Sequence, residues 1–181
     1  TGVQTCALPI LNGTSVSGVG TLGLSNIGGT ATFTADVSAT TITLNTVQKA
    51  EFLGDLSVTT LLVPGSVVDF TSAGFLGSVV NAVVFQNTGT LTLGQAGGIQ
   101  NFAGGITATV PALIQLAGNL QTDAQAITLG TISLLDQVEV NSTNGNPAGA
   151  DITFTSTIRN TTTSRDLSVV AGSAGVVKFE A

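Results

Sequence analysis

Apolar residues fall on alternate positions in short runs along this chain, and the runs recur. Thr32-Phe33-Thr34-Ala35-Asp36-Val37, Glu51-Phe52-Leu53-Gly54-Asp55-Leu56 and Thr153-Phe154-Thr155-Ser156-Thr157-Ile158 share one pattern. Each has a Phe, a small residue two places on and an aliphatic residue two places further. Period-two alternation puts these three on one face of a β-strand and the Thr, Asp and Glu between them on the other. Partial copies stand at Asp69-Phe70-Thr71-Ser72, Val84-Phe85-Gln86-Asn87 and Lys178-Phe179-Glu180-Ala181. Neighbouring anchors are roughly 15–20 residues apart, a spacing at which repeats mean stacked structural units. A second apolar pair follows the Phe strands: Ile42 and Leu44, Leu56 and Val58, Leu91 and Leu93, Ile127 and Leu129, Leu167 and Val169. These read as further strands with polar outer residues. Val79 to Phe85, the densest apolar stretch, reads as a buried strand. Turn signals fall at Pro64-Gly65, Asn87-Thr88-Gly89, Gly97-Gly98, Gly104-Gly105 and Asn144-Gly145-Asn146-Pro147. No segment predicts a helix; Gln121 to Ala126, flanked by Thr and Gly, reads as a loop.

A β-sandwich, a barrel and a parallel β-helix (β-solenoid) all accommodate short strands. The sandwich, the principal alternative, calls for hairpin turns at regular spacing and aromatic corner residues. The parallel β-helix explains the recurrence itself, because each coil sets its Phe, small and aliphatic residues above those of the coil before, ~4.8 Å away. Coils of ~20 residues predict about eight coils and a length on the order of 40 Å. Each Phe is expected to face inward, with Thr and Ser forming outward ladders. The stretch from Ala103 to Gln125 reads as a degenerate repeat. Residues 1–10, which hold the only cysteine, Cys6, lack the alternation and read as an adapter-like, non-native segment or an irregular lead-in. Residues 11–181 form a single repeat domain, read as a fragment of a longer chain: it opens on Thr1, with no charged-then-apolar leader.

Charge narrows the partners. Ten Asp and Glu against four Lys and Arg give a net charge of -6. Such a chain has no basic patch with which to neutralise phosphates, which argues against nucleic acid and against anionic membrane surfaces. No apolar run is long enough to cross a bilayer as a helix. The absence of His removes Ser-His-Asp and Cys-His nucleophile systems, and one Cys without His leaves no usual zinc site.

Ala150-Asp151-Ile152-Thr153-Phe154-Thr155-Ser156-Thr157-Ile158, followed by Asp166-Leu167-Ser168-Val169-Val170-Ala171-Gly172, resembles repeats of filamentous-haemagglutinin-like exoproteins and autotransporter passengers. In that group a D-I-T-F-x-[SG]-x-[IV] strand leads through a polar turn into L-x-[LV]-x-A-G. The Phe33 and Phe52 copies match the first half, and Leu91-Thr92-Leu93-Gly94 matches the second loosely. The resemblance covers most of the chain from about Ala31 and implies a right-handed parallel β-helix, exported to the bacterial surface or medium and serving adhesion. It implies no catalytic residues.

Four features invite a chemical reading. Gly18-Val19-Gly20-Thr21-Leu22-Gly23 has the G-x-G-x-x-G spacing, but Leu24-Ser25-Asn26-Ile27-Gly28-Gly29 cannot open the helix a pyrophosphate needs, so the segment reads as strand. Asp36 with Asp55, and Glu51 with Asp69, hold equivalent motif positions. Stacked carboxylates would bind Ca²⁺ or raise one another's pKa, yet without an Asp-rich calcium loop they read as surface charges, Lys49 offsetting Glu51. Arg159 and Arg165 lie near Asp151 and Asp166, a gathering of both charges that a polysaccharide-cleaving solenoid would use and that reads more simply as turn-region ion pairs. Asn12-Gly13-Thr14, Asn141-Ser142-Thr143 and Asn160-Thr161-Thr162 match glycosylation acceptors, as chance provides in a Thr-rich chain.

The sequence therefore predicts a non-enzymatic segment of a secreted or surface-displayed exoprotein, with no cofactor and no assigned catalytic, metal or binding residue. It would act as a rigid stalk or contact surface, with host or neighbouring-cell glycans or proteins engaged through other parts of the parent chain. A fragment of a polysaccharide lyase or hydrolase, and a surface-layer or fibre protein associating end to end, are the alternatives.

Overall fold

The computed structural model describes residues 10–11, 15–160 and 163–180, all β-strand and connecting turn with no helix among them. The lead-in 1–9, the Asn12-Gly13-Thr14 sequon and the last two residues of Asn160-Thr161-Thr162 lie outside the described residues. Strands pair in parallel and stack into a β-solenoid of about eight turns, the architecture that the recurrence predicts.

Three ladders run along it. The first stacks Val16, Val37, Leu56, Gly77, Gln100, Leu120, Val140 and Val169. The second stacks Leu22, Ile42 and Leu61, then Val83, Ile106, Ile127, Ile152 and Val177, joined by a bridge from Val63 to Phe85. The third stacks Phe33, Phe52, Ser72, Leu93, Leu116, Leu134 and Asn160. Inward rows of like residues make one continuous core, because each coil buries its apolar row only against the coils beside it.

Several local expectations change. The Phe motif does not lie on one strand: Phe33 ends the strand Val16–Phe33 and Val37 opens the strand Val37–Phe52, so Ala35 sits at the corner between them. The small residue is needed because successive corners press backbone on backbone. A Cβ on Gly54 would fall 2.4 Å from the Ala35 carbonyl carbon, and one on Gly74 would fall 2.2 Å from the Gly54 oxygen. Phe154 and Ile158 flank a corner in the same way, but between the second and third ladders.

Glu51 and Asp69 do not stack. Glu51 pairs with Thr71 and Asp69 with Lys49, since Phe70 aligns with Ala50 instead of Phe52. A two-residue offset keeps the inward face inward, so the hydrophobic pattern alone does not fix it. Val79 to Phe85 is no single strand; it turns a corner, with Val80 and Val84 exposed and Val79, Val83 and Phe85 buried. The stretch from Ala103 to Gln125 is a full coil, carrying the strands Ile106–Ala108 and Leu113–Gln121.

One Phe does not face inward: Phe75 is 53% exposed on a corner. Phe179 holds the inward position, in register with the buried Phe154 and stacked on its ring at 5.1 Å, and is exposed because it lies on the last described coil. Five others form a stack through the core: Phe33 and Phe52 lie 4.9 Å apart and 6° from parallel, followed by Phe70, Phe85 and Phe102 at 5.4–5.8 Å centroid spacings. The stack crosses the interior, because Phe70 is offset on the third ladder, Phe85 stands on the second and Phe102 on the first.

Candidate functional site

The carboxylates are the first candidates, and most face the next coil. Asp36 Oδ1 accepts the backbone N–H of Asp55 at 2.9 Å, and Asp55 Oδ1 accepts that of Leu76 at 2.8 Å. Asp69 Oδ1 accepts the N–H of Thr90 at 2.7 Å, and Asp151 Oδ1 that of Val176 at 2.9 Å. The N–H at the start of a strand has no ladder partner, and an acid of the preceding coil supplies a charge-assisted one, from a corner at Asp36, Asp55 and Asp151 and from within the strand Val67–Ser72 at Asp69. Asp36 and Asp55 therefore do stack, but each is tied to a backbone N–H instead of facing its neighbour across a shared cation. Among the described residues, no three of His, Cys, Asp or Glu gather where they could hold a metal ion.

Ion pairs engage three of the four cations, Lys49, Arg165 and Lys178. Lys49 Nζ lies 2.6 Å from Glu51 Oε1 and holds that carboxyl below its ordinary value; partial burial opposes this, and the Thr32 hydroxyl, donating at 3.0 Å, adds to it. Lys178 Nζ lies 2.6 Å from Asp151 Oδ2, lowering Asp151 together with the Val176 N–H and itself being raised. Arg165 pairs with Asp136 at 3.3 Å, a partner from the preceding coil that sequence proximity to Asp166 did not suggest. The charged gathering of Arg159, Arg165, Asp151 and Asp166 is thus dispersed: Asp151 pairs with Lys178, Arg165 with Asp136, and Arg159 stands within the strand Ile158–Asn160.

Gly18 to Gly23 lies inside the strand Val16–Phe33, so no helix N-terminus stands behind the glycines. Asn141 in the second sequon is engaged on both sides. Its Oδ1 accepts from the Thr143 N–H and hydroxyl, both at 2.7 Å, while its Nδ2 donates to Glu139 Oε1 at 2.9 Å. Ser142 is buried and braces the following loop, donating to the Ala150 carbonyl at 2.7 Å and accepting the Ala150 N–H at 3.0 Å.

One cleft, of about 470 Å³, lies at the corner between the third and first ladders. It exists because one coil crosses that corner with a single residue, Ala117, where the next uses Leu135, Asp136 and Gln137. Gly118 and Asn119 line the indentation, with Glu139, Asp166 and Ser168 of later coils and Gly97, Gly98 and Ile99 of the coil before. Gly118 has φ +74°, and a Cβ there would meet the Gln95 and Gly98 carbonyl oxygens at 2.5 Å. Asn119 Oδ1 is shut from solvent without a hydrogen-bond partner. The lining offers two carboxylates and amides, with no Lys or Arg.

Sequence reading missed the polar group at the centre of the core. Gln100 stands in the aliphatic first ladder and Ser72 in the Phe row of the third; both are buried. Ser72 Oγ donates to Gln100 Oε1 at 2.9 Å, and Gln100 Nε2 donates to the Gly74 carbonyl at 3.1 Å. The available signal was a polar residue in each of two otherwise apolar rows, with Gly77 in the row beside Gln100.

Comparison with protein-family models, with curated proteins and with solved structures gives no match to this chain.

Proposed function

We propose that this chain is a structural segment of a secreted or surface-displayed exoprotein, a rigid β-solenoid that spaces or presents other regions and offers its flanks as a contact surface. The observation that carries this reading is the use of the acids. Asp36, Asp55, Asp69 and Asp151, four of the ten acids, each tie one coil to the next and are thereby engaged in holding the stack together. The repeat motif's likeness to filamentous-haemagglutinin-like exoproteins points the same way.

Rigidity is tested with spin labels at Ser38→Cys and Ser168→Cys in a Cys6→Ser background. Ser38 stands beside Val37 and Ser168 beside Val169, six steps apart on the first ladder. A narrow distance distribution near ~30 Å is expected from six strand spacings. A broad distribution would remove the spacer role.

A second reading rests on the cleft, where Glu139 and Asp166 present two carboxylates as a glycan-cleaving solenoid would. Its test is cleavage of acidic and neutral polysaccharides. Turnover lost in Glu139→Gln and Asp166→Asn would establish the enzyme and displace the structural reading.

A further inference from the structure

The turn that follows the buried Ser142 carries a different kind of chemistry. Asn146 N–H donates to the Thr143 carbonyl at 2.9 Å, closing a β-turn whose central residues are Asn144 and Gly145. Gly145 has φ +69° and is exposed, and a Cβ there would meet nothing within 4 Å, so the turn projects into open solvent. Its backbone N–H donates no hydrogen bond, unlike those of Asn144 and Asn146 on either side. The Asn144 amide lies over the preceding coil, its Nδ2 donating to Asp123 Oδ1 at 2.7 Å. Among the described residues, Asn144 is the one asparagine followed by glycine.

We propose that Asn144 is a site of spontaneous deamidation, and that its product loosens this corner by setting a second carboxylate against Asp123. The Gly145 backbone nitrogen attacks Asn144 Cγ. A C–N bond forms, the Cγ–Nδ2 bond breaks, and the amide nitrogen leaves as ammonia with the proton that Gly145 releases. Water then opens the resulting cyclic imide to aspartate or isoaspartate, with no oxidant or reductant involved. Glycine favours the step because no side chain shields its nitrogen. The product exchanges an N–H donor for a negative oxygen opposite Asp123, and two carboxylates in that geometry disfavour each other's ionised form.

The experiment is incubation of the full chain at mildly alkaline pH, followed by peptide mapping by mass spectrometry. Conversion at Asn144 several-fold faster than at the other described asparagines is expected, and Asn144→Gln, whose longer side chain would need a less favourable ring, removes it. Conversion at Asn144 no faster than at Asn141 or Asn81 overturns the site. The consequence is read separately, in Asn144→Asp. A fall in Tm at neutral pH that shrinks on acidification, and in the Asp123→Asn double variant, is expected. An equal fall at both pH values and in both backgrounds overturns the carboxylate repulsion.

Discussion

Asp55 serves two coils at once, its N–H donated to Asp36 Oδ1 and its own Oδ1 accepting from Leu76. An amide oxygen accepts the same bond without the charge, so Asp55→Asn is expected to lose less stability than Asp55→Ala, which lowers it by about 1 kcal/mol. Urea unfolding of the two variants checks the contrast; equal losses would mean that charge, not acceptance, is what the corner needs. Gln100 is the more demanding position. Truncation to Ala strands the Ser72 hydroxyl and the Gly74 carbonyl in the core, each at a cost of about 1–3 kcal/mol. Gly77→Ala is expected to be as damaging, since its Cβ would meet Gln100 Oε1 with no room to spare. Thermal melts of both variants check this, and a Gly77→Ala protein as stable as its parent would show that the Gln100 side chain has somewhere else to go. Ionisation adds a pH signature. Glu51 and Asp151 lie below their ordinary values of 4.5 and 3.8 when folded, so they stabilise the fold above those values and the contribution is lost as pH falls through the folded ones. Lys178, raised above 10.5, loses its share only as pH rises past its folded value. Lys178→Met should therefore flatten the acid limb of Tm against pH; an unchanged limb would mean that the exposed pair contributes nothing.

Strands were legible because alternation reports directly which face is buried, and the inward rows fall where the apolar pairs Ile42 and Leu44, or Ile127 and Leu129, place them. Corners were not. Phe33-Thr34-Ala35-Asp36-Val37 keeps period-two alternation straight through a corner, so hydrophobicity does not distinguish a bend from a continuing strand. What does distinguish it is the small residue and the acid together, one admitting the neighbouring backbone and the other capping it. Register was half legible for the same reason. The Phe52 and Phe70 motifs look equivalent, yet Ala50 takes the place opposite Phe70, and any even shift satisfies the core. The coil from Ala103 to Gln125 lacks a Phe strand and so escaped the motif, although Ile106, Ile114 and Leu116 fill its core positions as well.

Across the whole molecule, the ladders join coils by backbone pairing and the corners join them by side chains, and stability in such a stack is a sum of neighbour terms. A cleft formed by a shortened corner, and charges shared between coils, depend on contacts roughly 20 residues or more apart, so no local window of sequence displays them. Arg165 with Asp136 and Asp151 with Lys178 are separated by 29 and 27 residues. The central claim is that Asp36, Asp55, Asp69 and Asp151 each lock their own coil to the next. Amide hydrogen exchange followed by NMR tests it most directly, at the backbone N–H groups of Asp55, Leu76, Thr90 and Val176. These corner amides should exchange as slowly as the ladder amides beside them; exchange at the rate of an unstructured peptide would contradict the claim and leave the acids as ordinary surface charge.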